Sequence, residues 1–433
     1  MASIRRAELQ NGRIVYRIVI SLGHDKMGNR LVKNLTYSVN QYATAKQQEK
    51  EALKYAMDME DRLKYGHDCD TDRMLFDEFA DKWLEDIKGD LAYSTYESYR
   101  LLVDKRIVPY FKSYKLSNIK TPLIEAFYKT LTKDYSYGSI KKCSNVLSGM
   151  FKTAIRWDMI EINPCQNARL PKKNEEDTGL KYFTPQQSLM FLKSLDMVYE
   201  IVYKGHDRID DTGKPYHVND YTENHKVATQ YKVFFTLSLF CGFRKGETLA
   251  LKWSDIDFQK REIAITKAVG KTETGVALKK PKTATSVRKV PFPEQIIPVL
   301  KEYRKEYRLL RLSLGSAWKG NDNLFIQADG ALMYRSTPYQ FFKRHIKRYN
   351  QWVVAHEEQA KSEGLEVLPD IPLHGLRHSC ATLLNYLDVN IIDIAKFLGH
   401  ARSSTTMDIY AHSFEEQKRE AVNKLEGFLQ KQA

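Results

Sequence analysis

Three stretches in the second half of the chain hold residue types that suit chemistry on a phosphate. The first is Gly242-Phe243-Arg244-Lys245-Gly246-Glu247. Apolar helical sequence precedes it and resumes after it, so Arg244 is expected at a glycine-flanked break on the edge of a core, held in place. Taken alone, this motif reads equally well as a salt bridge between domains. The second stretch is Leu373-His374-Gly375-Leu376-Arg377-His378-Ser379. Positions i and i+3 share a helix face, which brings His374 and Arg377 together. Pro372 suits the approach to a helix start, where exposed backbone N–H groups already favour an anion. The third runs from Ile394 to His412. Gly399 can stop one helix and Ser404 or Thr405 can cap the next, leaving His400 in the turn and Tyr410 on the following helix. Read blandly, this third stretch is a helix-turn-helix with a packed tyrosine, the mark of a DNA-binding regulator without catalysis.

The three stretches together resemble the tyrosine recombinase (phage integrase) family. Residues 242–247 match its Gly-x-Arg-x-Gly-Glu box, residues 374–378 its His-x-x-Arg-His box, and Leu398-Gly399-His400 its Leu-Gly-His motif, with Tyr410 at the remove of the nucleophile. Lys282-Thr283-Ala284-Thr285-Ser286-Val287-Arg288 matches the Lys-Thr-x-x-Ser-x-Arg context of the family's catalytic lysine; Lys279 and Lys280 stand close by. The resemblance implies the catalytic set Arg244, Lys282, His374, Arg377, His400 and Tyr410. It also implies a site-specific recombinase that cleaves and rejoins DNA through a 3′-phosphotyrosine and a Holliday junction, integrating and excising a mobile element. Its partners would be double-stranded DNA at core and arm sites, three further copies of itself in a tetramer, and an accessory directionality factor.

The residue types fit that reaction. A phosphodiester repels nucleophiles, and displacement adds charge on its oxygens. Arg244 and Arg377 are suited to donate bidentate hydrogen bonds to those oxygens. His374 and His400 add donors, and His374 can also move the tyrosine proton. A phenol with a pKa of ~10 needs a cationic pocket before it attacks at neutral pH. By resemblance, Lys282 protonates the leaving 5′-oxygen. With guanidinium groups supplying positive charge and no acidic cluster near these motifs, neither a metal nor a cofactor is expected.

These residues need elements to position them. Near the N-terminus, β-branched residues 12–20, turn residues 24–29 and a returning strand at 31–39 precede a helical period over 44–65. Arg5, Arg6, Arg13, Arg17, Lys26, Arg30 and Lys33 crowd this small sheet, as a DNA-reading face or as a solvated surface. From Met74 to Asn163 helix follows helix, one of them ending at Pro109. Polar, lysine-bearing residues 167–180 read as a linker. Beyond it lies a mixed region in which 205–225 reads as a solvated surface loop. Its His206, Asp207, Asp210, Asp211 and His217 match no metal-ligand spacing. Strands are expected at 261–267, 275–280 and 286–291, and helices at 185–195, 295–308, 338–355 and from 376 onward. The fold class that follows is multidomain α+β. It comprises a small sheet-plus-helix domain (1–66), an all-α bundle (74–166), and a mixed, mainly α domain with a small sheet (181–433), which the resemblance implies are the arm-type DNA-binding, core-binding and catalytic domains. The apolar stripe over 414–433 would dock on a neighbouring protomer or pack on its own domain.

The composition agrees. A net charge of +14 over 433 residues favours a polyanionic partner, nucleic acid ahead of a membrane surface. The 5 cysteines are scattered, which argues against a disulfide framework or zinc site. Neither a signal peptide nor a membrane-length apolar run is present, so a soluble, cytoplasmic protein is expected.

Overall fold

The structure, a computed structural model, describes residues 2–9, 12–24, 30–64, 74–173, 181–273, 275–279 and 287–399. The chain divides into two compact units, Met1–Thr178 and Gly179–Ala433, and the division falls inside the stretch read as a linker. Within them the architecture is α+β, mostly helical with small separate sheets.

In the first unit, strands β1 (Ser3–Glu8), β2 (Ile14–His24) and β3 (Arg30–Ser38) form an antiparallel sheet with β2 in the middle. Helix α1 (Ala45–Lys64) covers one face: Ala52, Ala56 and Met59 are buried with Tyr16, Ile18 and Ile20. The sequence reading missed β1. Its residues Ser-Ile-Arg-Arg-Ala-Glu bury only Ile4 and Ala7, and those partially, so the strand forms by pairing along β2 and carries little apolar signal of its own. A second core lies in the helices α2 (Phe76–Asp86), α3 (Tyr93–Leu102), α4 (Val108–Phe111), α5 (Thr121–Leu131) and α6 (Tyr137–Arg156). The helix expected to end at Pro109 does not stop there. A π-helical turn at Val103–Ile107 widens the backbone just before the proline, and Pro109 then sits in the first turn of α4, where its missing N–H is no loss.

The second unit is built around α8 (Thr229–Phe240), which is apolar all round and buries Val233, Phe234, Phe235, Leu237 and Leu239. In chain order, α7 (Pro185–Asp196) precedes two short ribbons. The first pairs β4 (Val198–Tyr203) with β7 (Tyr221–Lys226), and the second pairs β5 (His206–Ile209) with β6 (Pro215–Val218). The loop expected at 205–225 is therefore corrected: it is strand. Both faces of these strands are largely solvated, so they lack the apolar alternation that betrays a half-buried strand. Asp207 and His217, adjacent across the outer ribbon, pair with each other at 2.7 Å. After α8 come α9 (Lys245–Leu249), β8 (Ile256–Asp257), β9 (Glu262–Ile265), the hairpin β10 (Ala268–Thr272)–β11 (Gly275–Lys279), and β12 (Arg288–Pro291). β12, β9 and β8 pair in that order. Helices α10 (Ile297–Leu314), α11 (Thr337–Ala355), α12 (Glu357–Ser362), α13 (Gly375–Tyr386) and α14 (Ile391–Leu398) complete the described part. No helix among the described residues is long and apolar enough to cross a membrane.

One buried group makes this unit acid-sensitive. His345 of α11 is 2% exposed, among Phe191, Tyr199 and Phe341. Ser194 donates its hydroxyl to the Phe191 carbonyl, so at 2.8 Å it accepts from Nε2–H of His345, while Nδ1 has no hydrogen-bond partner. Burial first, then the charges of Arg348 and His225, lowers this imidazole to about 4. The folded state resists protonation that the unfolded chain accepts below a pKa of ~6.5. Stability is therefore full above that pH and is lost as pH falls towards 4, by on the order of 3 kcal/mol. Urea midpoints between pH 7.5 and 4.5 should show this fall for the wild type and a shallower one for His345→Leu. Equal slopes would remove His345 from the effect.

Candidate active site

The site begins where α8 runs out. Its cap, Cys241, is followed by Gly242 at φ +60°, a left-handed conformation that turns the chain back. The space there is closed as well, since a Cβ on Gly242 would lie 2.3 Å from Leu398 Cδ2 and 3.2 Å from Cys380 Sγ. The turn is thus pressed against α13 and α14. Gly242→Ala should destabilise the protein by about 3 kcal/mol, from a strained φ plus overpacking. A loss below ~0.5 kcal/mol in urea unfolding would mean that the turn relaxes freely.

Arg244 follows at the N-cap of α9 and is 38% exposed at its side chain. Glu247 reaches back to the Arg244 backbone N–H at 3.0 Å, as in half of a capping box, and accepts Nη1 of Arg244 at 2.7 Å. The other Arg244 nitrogen, Nη2, donates to the Gly399 carbonyl at 3.1 Å. The helix expected after Arg244 is only α9, one short turn, held down because a Cβ on Gly246 would meet the Val269 carbonyl at 2.9 Å.

Arg377 comes from the first turns of α13 and is 2% exposed. Its fork donates to the Gly242 carbonyl at 2.6 Å and the Leu398 carbonyl at 2.7 Å. Burial, and next the charge of Arg244, lowers this guanidinium from its ordinary value; it remains charged at neutral pH. Two like charges persist side by side because Glu247, 3% exposed, lies among them. Burial alone would raise the Glu247 carboxyl, but Arg288 and then Arg244 outweigh burial and hold it below the usual range.

His374 is the residue before α13, and its carbonyl accepts the Arg377 backbone N–H. As a residue it stays exposed to solvent. Packing around its ring, then His378, Arg377 and Arg244, lowers the imidazole to about 4. The His378 ring stands edge-on at 5.0 Å. A neutral His374 offers both an N–H donor and a free lone pair at physiological pH.

α14 ends at Gly399 with φ +68°, the left-handed stop expected from the sequence. The structure thus brings Arg244 and Arg377 to the end of α14, with His374 at the start of α13, three residues ahead of Arg377. Lys282, His400 and Tyr410 lie outside the described residues, as does the 414–433 tail. Sequence reasoning missed Arg288, whose 9% exposed side chain bonds Glu247 at 3.1 Å and the Phe397 carbonyl at 3.1 Å. The signal was present: Arg288 closes the motif that singled out Lys282. No group of three or more His, Cys, Asp or Glu that would hold a metal occurs among the described residues.

Comparison with known proteins gives this geometry a setting. Residues 216–417 match the model of the phage integrase family, and residues 75–132 match that of the phage integrase N-terminal SAM-like domain. A tyrosine recombinase XerC-like protein of Caldanaerobacter subterraneus subsp. tengcongensis is 25% identical, covering 96% of this chain and 97% of the relative. The ICEBs1 integrase of Bacillus subtilis is 24% identical over 98% of this chain and 99% of its own. Among solved structures, the Tn1549 transposon integrase in complex with a circular intermediate DNA shares the fold. Its TM-score is 0.61 at 23% identity, covering 81% of this chain and 99% of that one. The chain belongs to the tyrosine recombinase (phage integrase) family of site-specific DNA recombinases.

Proposed function

We propose that this recombinase breaks and rejoins DNA through a 3′-phosphotyrosine on Tyr410, integrating and excising a mobile element. The observation that carries the reading is the convergence of Arg244 and Arg377 on the end of α14, after which the chain continues into His400, with His374 at the start of the helix that carries Arg377. Arg244 and Arg377 stabilise the charge that builds on the non-bridging oxygens. Neutral His374 accepts the phenolic proton or donates to the phosphate, and Lys282 protonates the departing 5′-oxygen. The phosphotyrosine conserves the bond's energy, so rejoining to a second strand proceeds through a Holliday junction without ATP. The regulator reading accounts for Arg377 only as a brace between the α8–α9 turn and α14, and gives no chemical role to the half-exposed Arg244 beside it.

The wider roles follow the same logic. Residues 1–66 bind arm sites, and both 74–166 and the catalytic domain of 181–433 bind the core site. On the open face of the N-terminal sheet, Arg5 and Arg17 stand directly opposite each other in register and both are exposed. Like charges so placed repel unless an anion lies between them, which supports a phosphate-bound face. The lambda integrase, whose fold is similar at a TM-score of 0.51 and 16% identity, is a tetramer on a Holliday junction in its solved structure. A homotetramer on paired sites, with an accessory factor setting direction, is the working assembly proposed here. The test is a nicked suicide duplex carrying the element's own junction sequence. Wild-type protein should yield an SDS-resistant protein–DNA adduct, and a protein that binds this duplex without any adduct would overturn the mechanism.

A further inference from the structure

The end of α14 is held in an unusual way. A helix leaves its last carbonyls without intrahelical donors, and they carry the negative end of the helix dipole. Here three successive carbonyls are each taken by a different guanidinium: Phe397 by Arg288 at 3.1 Å, Leu398 by Arg377 at 2.7 Å, and Gly399 by Arg244 at 3.1 Å. Two of these arginines belong to the proposed phosphate clamp. Arg288 is the third, and it reaches the site from β12, a strand remote in sequence from both α9 and α14.

Arg288 also shares the Glu247 carboxylate with Arg244. Its Nη2 bonds Oε2 of Glu247, while Oε1 of the same carboxylate is taken by Nη1 of Arg244. Both carboxylate oxygens therefore face a guanidinium, and the carboxylate is 4% exposed. Removing Arg288 would leave a buried Glu247 to Arg244 alone, and the charge of Arg244 would be spent on it. Counting Arg244, Arg288 and Arg377 against Glu247, the local balance is two positive charges with Arg288 and one without it. The fit is close: a Cβ on Gly399 would sit 3.0 Å from Nη1 and 3.1 Å from Cδ of Arg288. A lysine would keep the charge, but a single ammonium on a flexible stem does not reproduce a rigid fork spanning a carboxylate and a carbonyl.

We infer that Arg288 is a positioning residue of the recombinase site. It holds the end of α14 in register and engages Glu247 so that the charge of Arg244 remains available to the scissile phosphate. This rests on the phosphotyrosine reading above. The experiment compares full-length wild type, Arg288→Ala, Arg288→Lys and Arg288→Ala/Glu247→Gln on the nicked suicide duplex, scoring duplex affinity and the single-turnover rate of adduct formation.

Arg288→Ala should bind the duplex like wild type and form adduct ~100-fold more slowly, the loss typical of one preorganised electrostatic contributor. Arg288→Lys should fall between the two. In the double variant the unopposed carboxylate is gone, and the rate should recover at least ~10-fold over Arg288→Ala. A merely structural role predicts that duplex affinity falls and recovers together with the rate, because relieving the unpaired buried carboxylate would restore the fold and both readouts alike. Wild-type rates in Arg288→Ala would overturn the inference, as would a double variant no faster than the single one. If Arg288→Ala does not fold, Arg288→Lys at the wild-type rate would overturn it. Absence of adduct from the wild type would instead strike the phosphotyrosine reading.

Discussion

Tyr410→Phe should bind the nicked duplex and form no adduct. The phenol oxygen is the only atom removed, so affinity should stay within ~3-fold, the scale of one net hydrogen bond. Adduct formation should drop by at least ~10⁴-fold, because a site that loses its nucleophile retains binding and charge stabilisation but has nothing to make the covalent bond. Gel-shift titration and SDS gels of the same reactions separate the two quantities. An adduct surviving in Tyr410→Phe would take Tyr410 out of the mechanism, whatever the rest of the pocket does.

Arg377→Ala should fail in two ways at once. The side chain is buried and supplies the donors for the Gly242 and Leu398 carbonyls, which join the α8–α9 turn to the end of α14. Deleting it strips two buried acceptors of a charged donor and opens a cavity, at a cost of about 3 kcal/mol in stability. It also removes half of the proposed phosphate clamp, at ~10³-fold in adduct rate. Arg377→Lys separates the effects: the charge stays, one carbonyl at a time can be reached, and the bidentate fork is gone. Its stability should recover more than its rate. Arg377→Ala cleaving within ~10-fold of wild type would show that Arg377 serves the fold and leaves the phosphate to other groups.

How much of this was legible depends on how local each signal is. Helices α1, α7 and α11 show a helical period in their own sequence and appear within a few residues of where it placed them. β1 and the 198–226 ribbons were missed or misread because their residues stay largely in solvent, and backbone pairing rather than side-chain burial makes them strands. Pro109 misled because the π-turn that admits it depends on the packing of Val103 and Ile107, both fully buried in the bundle.

At the site, Arg244, His374 and Arg377 were singled out by the types and spacing of their neighbours. What they touch was not found. A guanidinium donating to the carbonyls of residues 242, 397, 398 and 399 leaves no trace in sequence, since every residue has a carbonyl. Arg288 stood in a motif the sequence did offer, but its contacts with a backbone oxygen on α14 and a carboxylate 41 positions upstream were not legible there.

The most direct measurement is to identify the residue joined to DNA. Wild-type adduct on the suicide duplex would be digested with nuclease and protease, and the nucleotide-bearing peptide sequenced by mass spectrometry. The account predicts a single modified peptide, with a deoxynucleotide linked through its 3′-phosphate to Tyr410. A nucleotide on any other residue, or a 5′ linkage to Tyr410, would contradict it.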